Sequence, residues 1–271
     1  MSSDSLLTAF GNVIGVLLLI VAVYIYVALF RQIAARAPTT LVESPKVFGL
    51  PEAILALALI TFLLLLSVVA WFSARSLEIT NSVLLENLLF TVAIVLLISA
   101  FLAFRGFDLG ALTGISRISF LRALSTGIVL LLAAYPLILL AETITQGLFR
   151  IGPDRQSIVE LFDASRTIGQ RVMIIVFAVA IAPVAEEFLF RFFLYGVLRR
   201  YFGHVFGIIV NALLFAAIHN HLPSFVPLFV LGMCFTIAYE WSGSILVSMT
   251  MHSLFNSLSL TVLAFPEIFR Q

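Results

Sequence analysis

PVAEEFLFR, residues 183–191, places two adjacent glutamates and an arginine inside an apolar segment that runs from about residue 172 to residue 198. A charged side chain at the centre of a membrane helix costs about 2.5–3.5 kcal/mol on insertion scales. Such residues persist where they face a protein interior or a wet cavity and serve a function. The stretch therefore predicts a buried polar site within a membrane helix, which other parts of the chain must complete.

The composition of the whole chain indicates an integral membrane protein. Of its 271 residues, 62% are hydrophobic and only 11% are charged, whereas an ordinary soluble domain carries about 25% charged residues. The net charge of +1 argues against nucleic acid as a partner. A single cysteine, Cys234, excludes an intrachain disulfide. We expect a multi-pass protein of the bacterial cytoplasmic membrane, with membrane lipid as one partner.

The apolar runs predict an all-α fold, a polytopic bundle of about eight membrane helices. The first run is longer than the core of a signal peptide, so we expect it to be retained. A polar connection from residue 146 to residue 171 separates the fourth and fifth segments. The predicted segments are Leu6–Leu29, Ala53–Trp71, Val83–Phe104, Ala123–Thr143, Val172–Leu198, Val205–Ile218, Phe225–Tyr239 and Ser244–Leu263.

Helical spacing gives the two central glutamates different environments. Glu187 and Arg191 are four residues apart, so they share a helix face and can form an ion pair. Glu186 lies about 100° around the helix from Glu187 and has no cation of its own at that spacing. A carboxylate without a fixed partner can act as a general base, which is the group that hydrolysis requires.

Two more pairs with the same four-residue spacing follow downstream. Phe215 and His219 lie near the end of the sixth predicted segment, and His252 and Asn256 lie in the middle of the eighth. Polar groups on three helices would be costly against lipid. We therefore expect them, together with Glu186, to share one polar cavity.

Each of these residues also has a structural interpretation when it is taken alone. Glu187 with Arg191 could be a purely structural ion pair, and His219 could belong to an interfacial loop. His252 could be a core histidine bonded to a backbone carbonyl, and Asn256 could bridge two helices. Their joint occurrence at membrane depth favours one shared site.

The order and spacing of these motifs resemble those of the CPBP family, which comprises type II CAAX prenyl endopeptidases and the Abi-like bacteriocin-processing or immunity membrane proteases. The resemblance covers about residues 120–262. It implies a protease core at residues 120–264, preceded by membrane helices at residues 1–119 and followed by a short tail at residues 265–271. The motifs that carry it are Glu186-Glu187-xxx-Arg191, Phe215-xxx-His219 and His252-xxx-Asn256.

This resemblance implies an intramembrane endopeptidase that hydrolyses a peptide bond of a membrane-associated protein or peptide. We expect the reaction to need no cofactor. Glu186 would be the base that activates water, with help from His219. His252 and Asn256 would hold the water or stabilise the oxyanion. The supporting residues would be Glu187, Arg191 and Phe215.

A zinc-dependent version of the same hydrolysis remains open. Two histidines and a glutamate, with water as the fourth ligand, are a known zinc set, and here they would be His219, His252 and Glu186. The compact HExxH signature is absent from the chain, so we favour the metal-independent chemistry.

Two other functions compete with proteolysis. An ion-coupled transporter could use the same acidic and imidazole groups, but no repeat of segments and no paired broken helices support it. A non-catalytic membrane scaffold or immunity protein could keep the fold and bind a partner, although the motif residues are all present. The chain offers no Ser/His/Asp set for acyl-enzyme chemistry, and Cys234 has no evident base beside it.

Overall fold

A computed structural model of the chain describes residues 3–36, 46–72, 81–149, 162, 165 and 167–264. Within these residues every regular element is a helix, which confirms the predicted all-α class. Seven helical runs among them are long and apolar enough to cross a membrane, so the chain is a multi-pass integral membrane protein. The α-helices are α1 (Ser3–Ala35), α2 (Leu50–Phe72), α3 (Asn81–Phe104), α4 (Leu109–Thr113), α5 (Phe120–Phe149), α6 (Ile168–Val176), α7 (Ala182–Glu187), α8 (Tyr195–Ile218), α9 (Phe225–Ser242) and α10 (Ile245–Ala264).

The fifth and sixth predicted segments belong to one helical run, Ile168–Ile218, of 51 residues. A straight helix of that length would measure about 75 Å, more than twice the hydrocarbon thickness of a bilayer. The run bends at Gly203, whose φ of 81° and ψ of 175° are not helical. Glycine adopts positive φ without steric cost, so it is suited to this bend. The run therefore makes two crossings, in agreement with about eight predicted segments.

Two parts of the sequence interpretation lie outside the described residues. The predicted tail at residues 265–271 is one of them, and most of the polar connection at residues 146–171 is the other.

The glutamate pair sits between two widened turns of the helical run. π-Helical turns at Phe177–Ile181 and Phe188–Leu194 flank α7 on either side. π-Turns are rare and are often found at functional sites. Pro183 lies in the first turn of α7 and has no amide hydrogen to donate, so one carbonyl of the preceding turn loses its helical partner.

α9 lies at the centre of the bundle, where it packs against α1, α5, α8 and α10. α10 packs in turn against α5 and α7. The first three helices cover this core, because α1 contacts α5 and α9, α2 contacts α8, and α3 contacts α7. This arrangement brings α7, α8 and α10, the helices of the three motifs, close together.

Polar contacts at one end of the bundle fasten α1 to α9 and the start of α2 to the end of α3. Arg36, just after α1, donates to the carbonyls of Glu240 (3.2 Å) and Trp241 (2.7 Å) in the last turn of α9. A cation is favoured there because the last carbonyls of a helix lack helical partners. Glu52, in the first turn of α2, pairs with Arg105 at 2.9 Å. The sequence pattern predicts neither contact, because both join separate segments.

Candidate active site

The four residues predicted to act in catalysis line one cavity of about 270 Å³, together with Phe215. Glu186 comes from α7, His219 from the end of α8, and His252 and Asn256 from α10. The expectation of a shared cavity is therefore confirmed. The rest of the lining is mainly apolar and comprises Phe177, Ala178, Ala182, Leu228, Leu231, Phe255, Ser259 and Leu260.

The two adjacent glutamates face different surroundings, as the helical spacing predicted. The Glu186 side chain is 24% exposed and lines the cavity, whereas the Glu187 side chain is fully buried behind it. Glu186 Oε2 lies 3.8 Å from His252 Nε2 and forms no hydrogen bond with any described residue. This oxygen itself is buried, so a water molecule or a substrate in the cavity would meet the remaining, exposed part of the Glu186 side chain.

His252 connects the two glutamates. Its Nδ1 lies 2.9 Å from Glu187 Oε1, while its Nε2 faces Glu186. A carboxylate can only accept a hydrogen bond, so Nδ1 carries the hydrogen and donates it to Glu187. The helical spacing predicts a partner for Glu187 only in Arg191. The contact with His252 joins residues that are 65 positions apart, which no short-range pattern reveals.

His219 is the first residue after the Ile168–Ile218 run, and it is held by that run's last turn. Its Nδ1 lies 2.6 Å from the carbonyl oxygen of Phe215. Since a carbonyl only accepts, Nδ1 is the donor, and Nε2 of the neutral ring is left as an acceptor. Burial lowers the pKa of His219, against the opposing effects of the Glu186 charge and the Phe215 carbonyl. The ring is therefore neutral near pH 7 and can receive a proton.

Asn256 is fixed by a backbone carbonyl freed in the first π-turn. Its Nδ2 donates to the Ala178 carbonyl at 2.8 Å. In this turn the Ala182 amide donates to the Phe177 carbonyl, five residues back. The same register would direct the next amide to the Ala178 carbonyl, but that residue is Pro183, which has no amide hydrogen. Asn256 thus does bridge two helices, and it lines the cavity as well.

Arg191 forms the predicted ion pair with Glu187, with 3.1 Å between Nη1 and Oε1 and both side chains fully buried. Aromatic rings flank the guanidinium, whose Cζ lies 4.2 Å from the Phe215 ring centroid and 5.1 Å from that of Phe235. Cation–π attraction is strongest for desolvated cations such as this one. No nitrogen atom of Arg191 makes a well-aligned hydrogen bond to the described part of the chain. Charge attraction to Glu187 and stacking on the two rings therefore hold the guanidinium in place. Phe235 is a supporting residue that the motifs do not reveal.

The alternative zinc ligands do not converge on one point. Among the described residues, no group of three or more His, Cys, Asp or Glu side chains could hold a metal ion. Glu186, His219 and His252 line the same cavity, and both histidines use Nδ1 for an outer contact, as zinc-bound histidines often do. Their mutual placement nevertheless does not fit a metal centre, so no chemical step below passes through one.

Comparison with known proteins gives the same protease family that the three motifs resemble. Residues 168–258 match the family model of the Rce1-like type II CAAX prenyl endopeptidases. Over 97 residues the chain is 32% identical to the membrane-embedded CAAX protease MroQ of Staphylococcus aureus (strain USA300). That alignment covers 33% of this chain and 39% of the relative. No solved structure matches the chain.

The family match has a narrower range than the motifs suggested, 168–258 rather than about 120–262, but it includes every residue of the three motifs. The boundary at residue 120 stays a prediction. For residues 168–258, the resemblance to type II CAAX prenyl endopeptidases that the motif order indicated is confirmed.

Proposed function

We propose that this chain is an intramembrane endopeptidase that hydrolyses a peptide bond in a membrane-associated protein or peptide. One observation carries the proposal: Glu186, His219, His252 and Asn256 come from three helices and line a single cavity. Amide hydrolysis needs a base for water and a donor for the oxyanion, and these residue types supply both. The family match at residues 168–258 supports the same reaction class.

Glu186 is the proposed base. The 3.8 Å between its Oε2 and His252 Nε2 is too long for a direct hydrogen bond, and the exposed part of the Glu186 side chain lines the cavity in which we place the water. As the water oxygen bonds to the substrate carbonyl carbon, one water proton passes to Glu186. That proton is then delivered to the leaving nitrogen as the C–N bond breaks, which restores the carboxylate. His219 Nε2, an acceptor in the neutral ring, assists by accepting a hydrogen bond from the attacking water.

Asn256 is the proposed donor to the oxyanion. Its amide has two hydrogens, and the bond to the Ala178 carbonyl uses one of them. That bond fixes the orientation of the amide, so the second hydrogen is held in place before substrate arrives. A donor positioned in advance stabilises developing negative charge without reorganisation during the reaction.

Glu187 and Arg191 support the site from behind. Glu187 accepts the hydrogen of His252 Nδ1, which leaves His252 Nε2 as the atom that faces the cavity. Arg191 holds the Glu187 carboxylate in place through the buried ion pair. Outer contacts of this kind fix the tautomer and the ring orientation of a functional histidine.

The proposed substrates are membrane-associated chains, since the named relative is a membrane-embedded CAAX protease. The cavity combines polar groups with a mainly apolar wall, so we propose that it receives a segment with apolar side chains beside the cleaved bond. Membrane lipid surrounds the chain as its second partner.

The direct test is proteolysis after reconstitution into lipid vesicles. Wild type, Glu186→Gln and the control Glu142→Gln, whose residue is exposed on α5, are incubated with a library of membrane-tethered peptides. New termini are identified by mass spectrometry, with and without a chelator. We expect cleavage by wild type and the control, none by Glu186→Gln, and no effect of the chelator.

Other outcomes would redirect the assignment. Cleavage that the chelator abolishes would favour the zinc-dependent reaction. Cleavage that survives Glu186→Gln would remove this glutamate as the base. If none of the proteins cleaves any peptide in the library, the scaffold and transport functions take precedence, and ion flux across the vesicle membrane is measured next.

A further inference from the structure

A second cavity, of about 140 Å³, lies at the end of the bundle where α2 begins and α9 ends. Its lining contains three basic side chains, Lys46, Arg199 and Arg200, and no acidic side chain among the described residues. None of the residues predicted to act in hydrolysis lines it. This cavity is therefore a separate feature that the proposed reaction does not use.

The cations of the lining are held in place by different means. Arg199 donates from Nη1 to both carboxylate oxygens of Glu240, at 2.8 and 2.6 Å. A guanidinium has five N–H donors, so this contact fixes the group and leaves most donors for another acceptor. Arg200 is exposed and makes no ion pair among the described residues. Lys46 donates its ammonium to the carbonyl of Arg105.

An aromatic cluster forms the apolar floor of the same cavity. The Phe48 ring packs 5.3 Å from Phe107 and 6.0 Å from Phe192, centroid to centroid. Gly196 permits this approach, since a Cβ there would stand 2.6 Å from Phe48 Cε2. Tyr239 completes the wall and brings a hydroxyl group that can donate a hydrogen bond. The cavity thus combines hydrogen-bond donors and positive charge with aromatic surface.

The position of the cavity corresponds to the membrane surface. It lies where α2 begins, and Arg199 and Arg200 immediately precede the bend at Gly203 between two crossings. Phospholipid phosphates lie at this depth, where basic pockets between membrane helices bind anionic head groups. A phospholipid offers both a phosphate for the cations and an apolar part for the aromatic floor.

A peptide substrate's terminal carboxylate fits this position less well. Residues 186 and 199 are 13 positions apart, which corresponds to about 20 Å along the helix. A chain with its carboxylate at Arg199 would need about six extended residues to place a peptide bond at Glu186. The cavity is walled by the segment before α2, by the helical run at residues 192–200 and by Tyr239 of α9, and it shares no lining residue with the cavity around Glu186.

We propose that this cavity binds the headgroup phosphate of an anionic phospholipid, through Arg199 and Arg200, with the lipid's apolar part against Phe48 and Phe107. Such a lipid would join the start of α2 to α8 and α9. The proposal is independent of peptide hydrolysis, because it uses a different cavity and different residues.

The test measures lipid binding to the full-length protein in detergent by native mass spectrometry. Phosphatidylglycerol, which is anionic, is titrated against phosphatidylcholine, which carries the same phosphate beside a cation. Arg200→Gln is compared with Arg122→Gln, a matched loss of an exposed cation at the same end of the bundle but outside the lining. We expect Arg200→Gln to weaken phosphatidylglycerol binding about fivefold, the effect of one cation near a charged lipid. Arg122→Gln and phosphatidylcholine binding should be unchanged.

Three results would overturn the proposal. Equal weakening in Arg200→Gln and Arg122→Gln would mean that only diffuse surface charge attracts the lipid. Displacement of phosphatidylglycerol by an equal concentration of inorganic phosphate would assign the cavity to free anions. Displacement by a peptide with a free terminal carboxylate, but not by the amidated peptide, would assign it to substrate. Because Arg200 is exposed, a folding defect is not expected, and circular dichroism of each variant verifies this.

Discussion

Removal of both partners of the buried ion pair should destabilise the protein less than the two single losses added together. Glu187 and Arg191 lie 3.1 Å apart with fully buried side chains. At an effective dielectric constant of about 20, two unit charges at that separation attract by about 5 kcal/mol. Loss of one partner leaves the other charge buried without compensation, at a cost of about 3–5 kcal/mol. We therefore expect Glu187→Gln and Arg191→Met each to lose about that much stability.

The double variant separates charge attraction from packing. Methionine keeps an unbranched stem against the Phe215 and Phe235 rings, and glutamine keeps an oxygen that can accept from His252. With both charges removed, no uncompensated ion remains. The double variant should therefore be about 2–3 kcal/mol more stable than the sum of the single losses predicts.

Wild type, the two single variants and the double variant form a double-mutant cycle. The free energy of unfolding of each is measured in mixed micelles, where sodium dodecyl sulfate drives reversible unfolding that is followed by circular dichroism. Glu142→Gln, an exposed glutamate on α5, serves as the control and should change stability by less than about 0.5 kcal/mol. Additivity of the two single losses within about 0.5 kcal/mol would refute the coupling inferred from the structure.

Three further substitutions test separate contacts. Gly196→Ala should cost about 1–3 kcal/mol in the same unfolding assay, because the new Cβ would meet the Phe48 ring at 2.6 Å. Arg36→Gln should cost about 1.5–3 kcal/mol, because two charge-assisted bonds to the end of α9 are lost. Pro183→Ala should slow peptide cleavage about tenfold to a hundredfold without unfolding the protein. The new backbone amide at residue 183 would compete with Asn256 for the Ala178 carbonyl.

Each of these variants has a matched control. Gly147→Ala adds a methyl group on α5 with no atom within 4 Å, so it should not destabilise the protein. Arg31→Gln removes an exposed cation of α1 and should leave stability unchanged. Pro136→Ala restores an amide inside α5 at a residue that does not line the cavity, and it should leave the cleavage rate unchanged. An equal effect in a variant and its control would show that the named contact does not account for the effect.

The contacts within one helix were predictable from the sequence. Spacing of four residues places Glu187 beside Arg191 and turns Glu186 to another face, and the structure has both features. The cost of polar groups in lipid also predicts that the motifs of three helices share one cavity. These arguments need only helical geometry and the solvent properties of a bilayer.

The contacts between helices were not predictable in the same way. Periodicity describes which face a residue occupies, but not which residue of another helix meets it. The bond from His252 to Glu187 and the stacking of Phe235 on Arg191 depend on how α9 and α10 dock against α7. The π-turns on both sides of α7 also shift the helical register locally, which a regular 3.6-residue repeat does not describe.

The role of Glu186 as the base is tested most directly by the rate at which one identified peptide is cleaved in vesicles. Wild type, Glu186→Gln and Glu142→Gln are compared at equal amounts of folded protein. General base catalysis contributes about a hundredfold to ten-thousandfold, so Glu186→Gln should be slower by at least a hundredfold, while Glu142→Gln should match wild type. Cleavage by Glu186→Gln within tenfold of the wild-type rate would contradict the proposed mechanism.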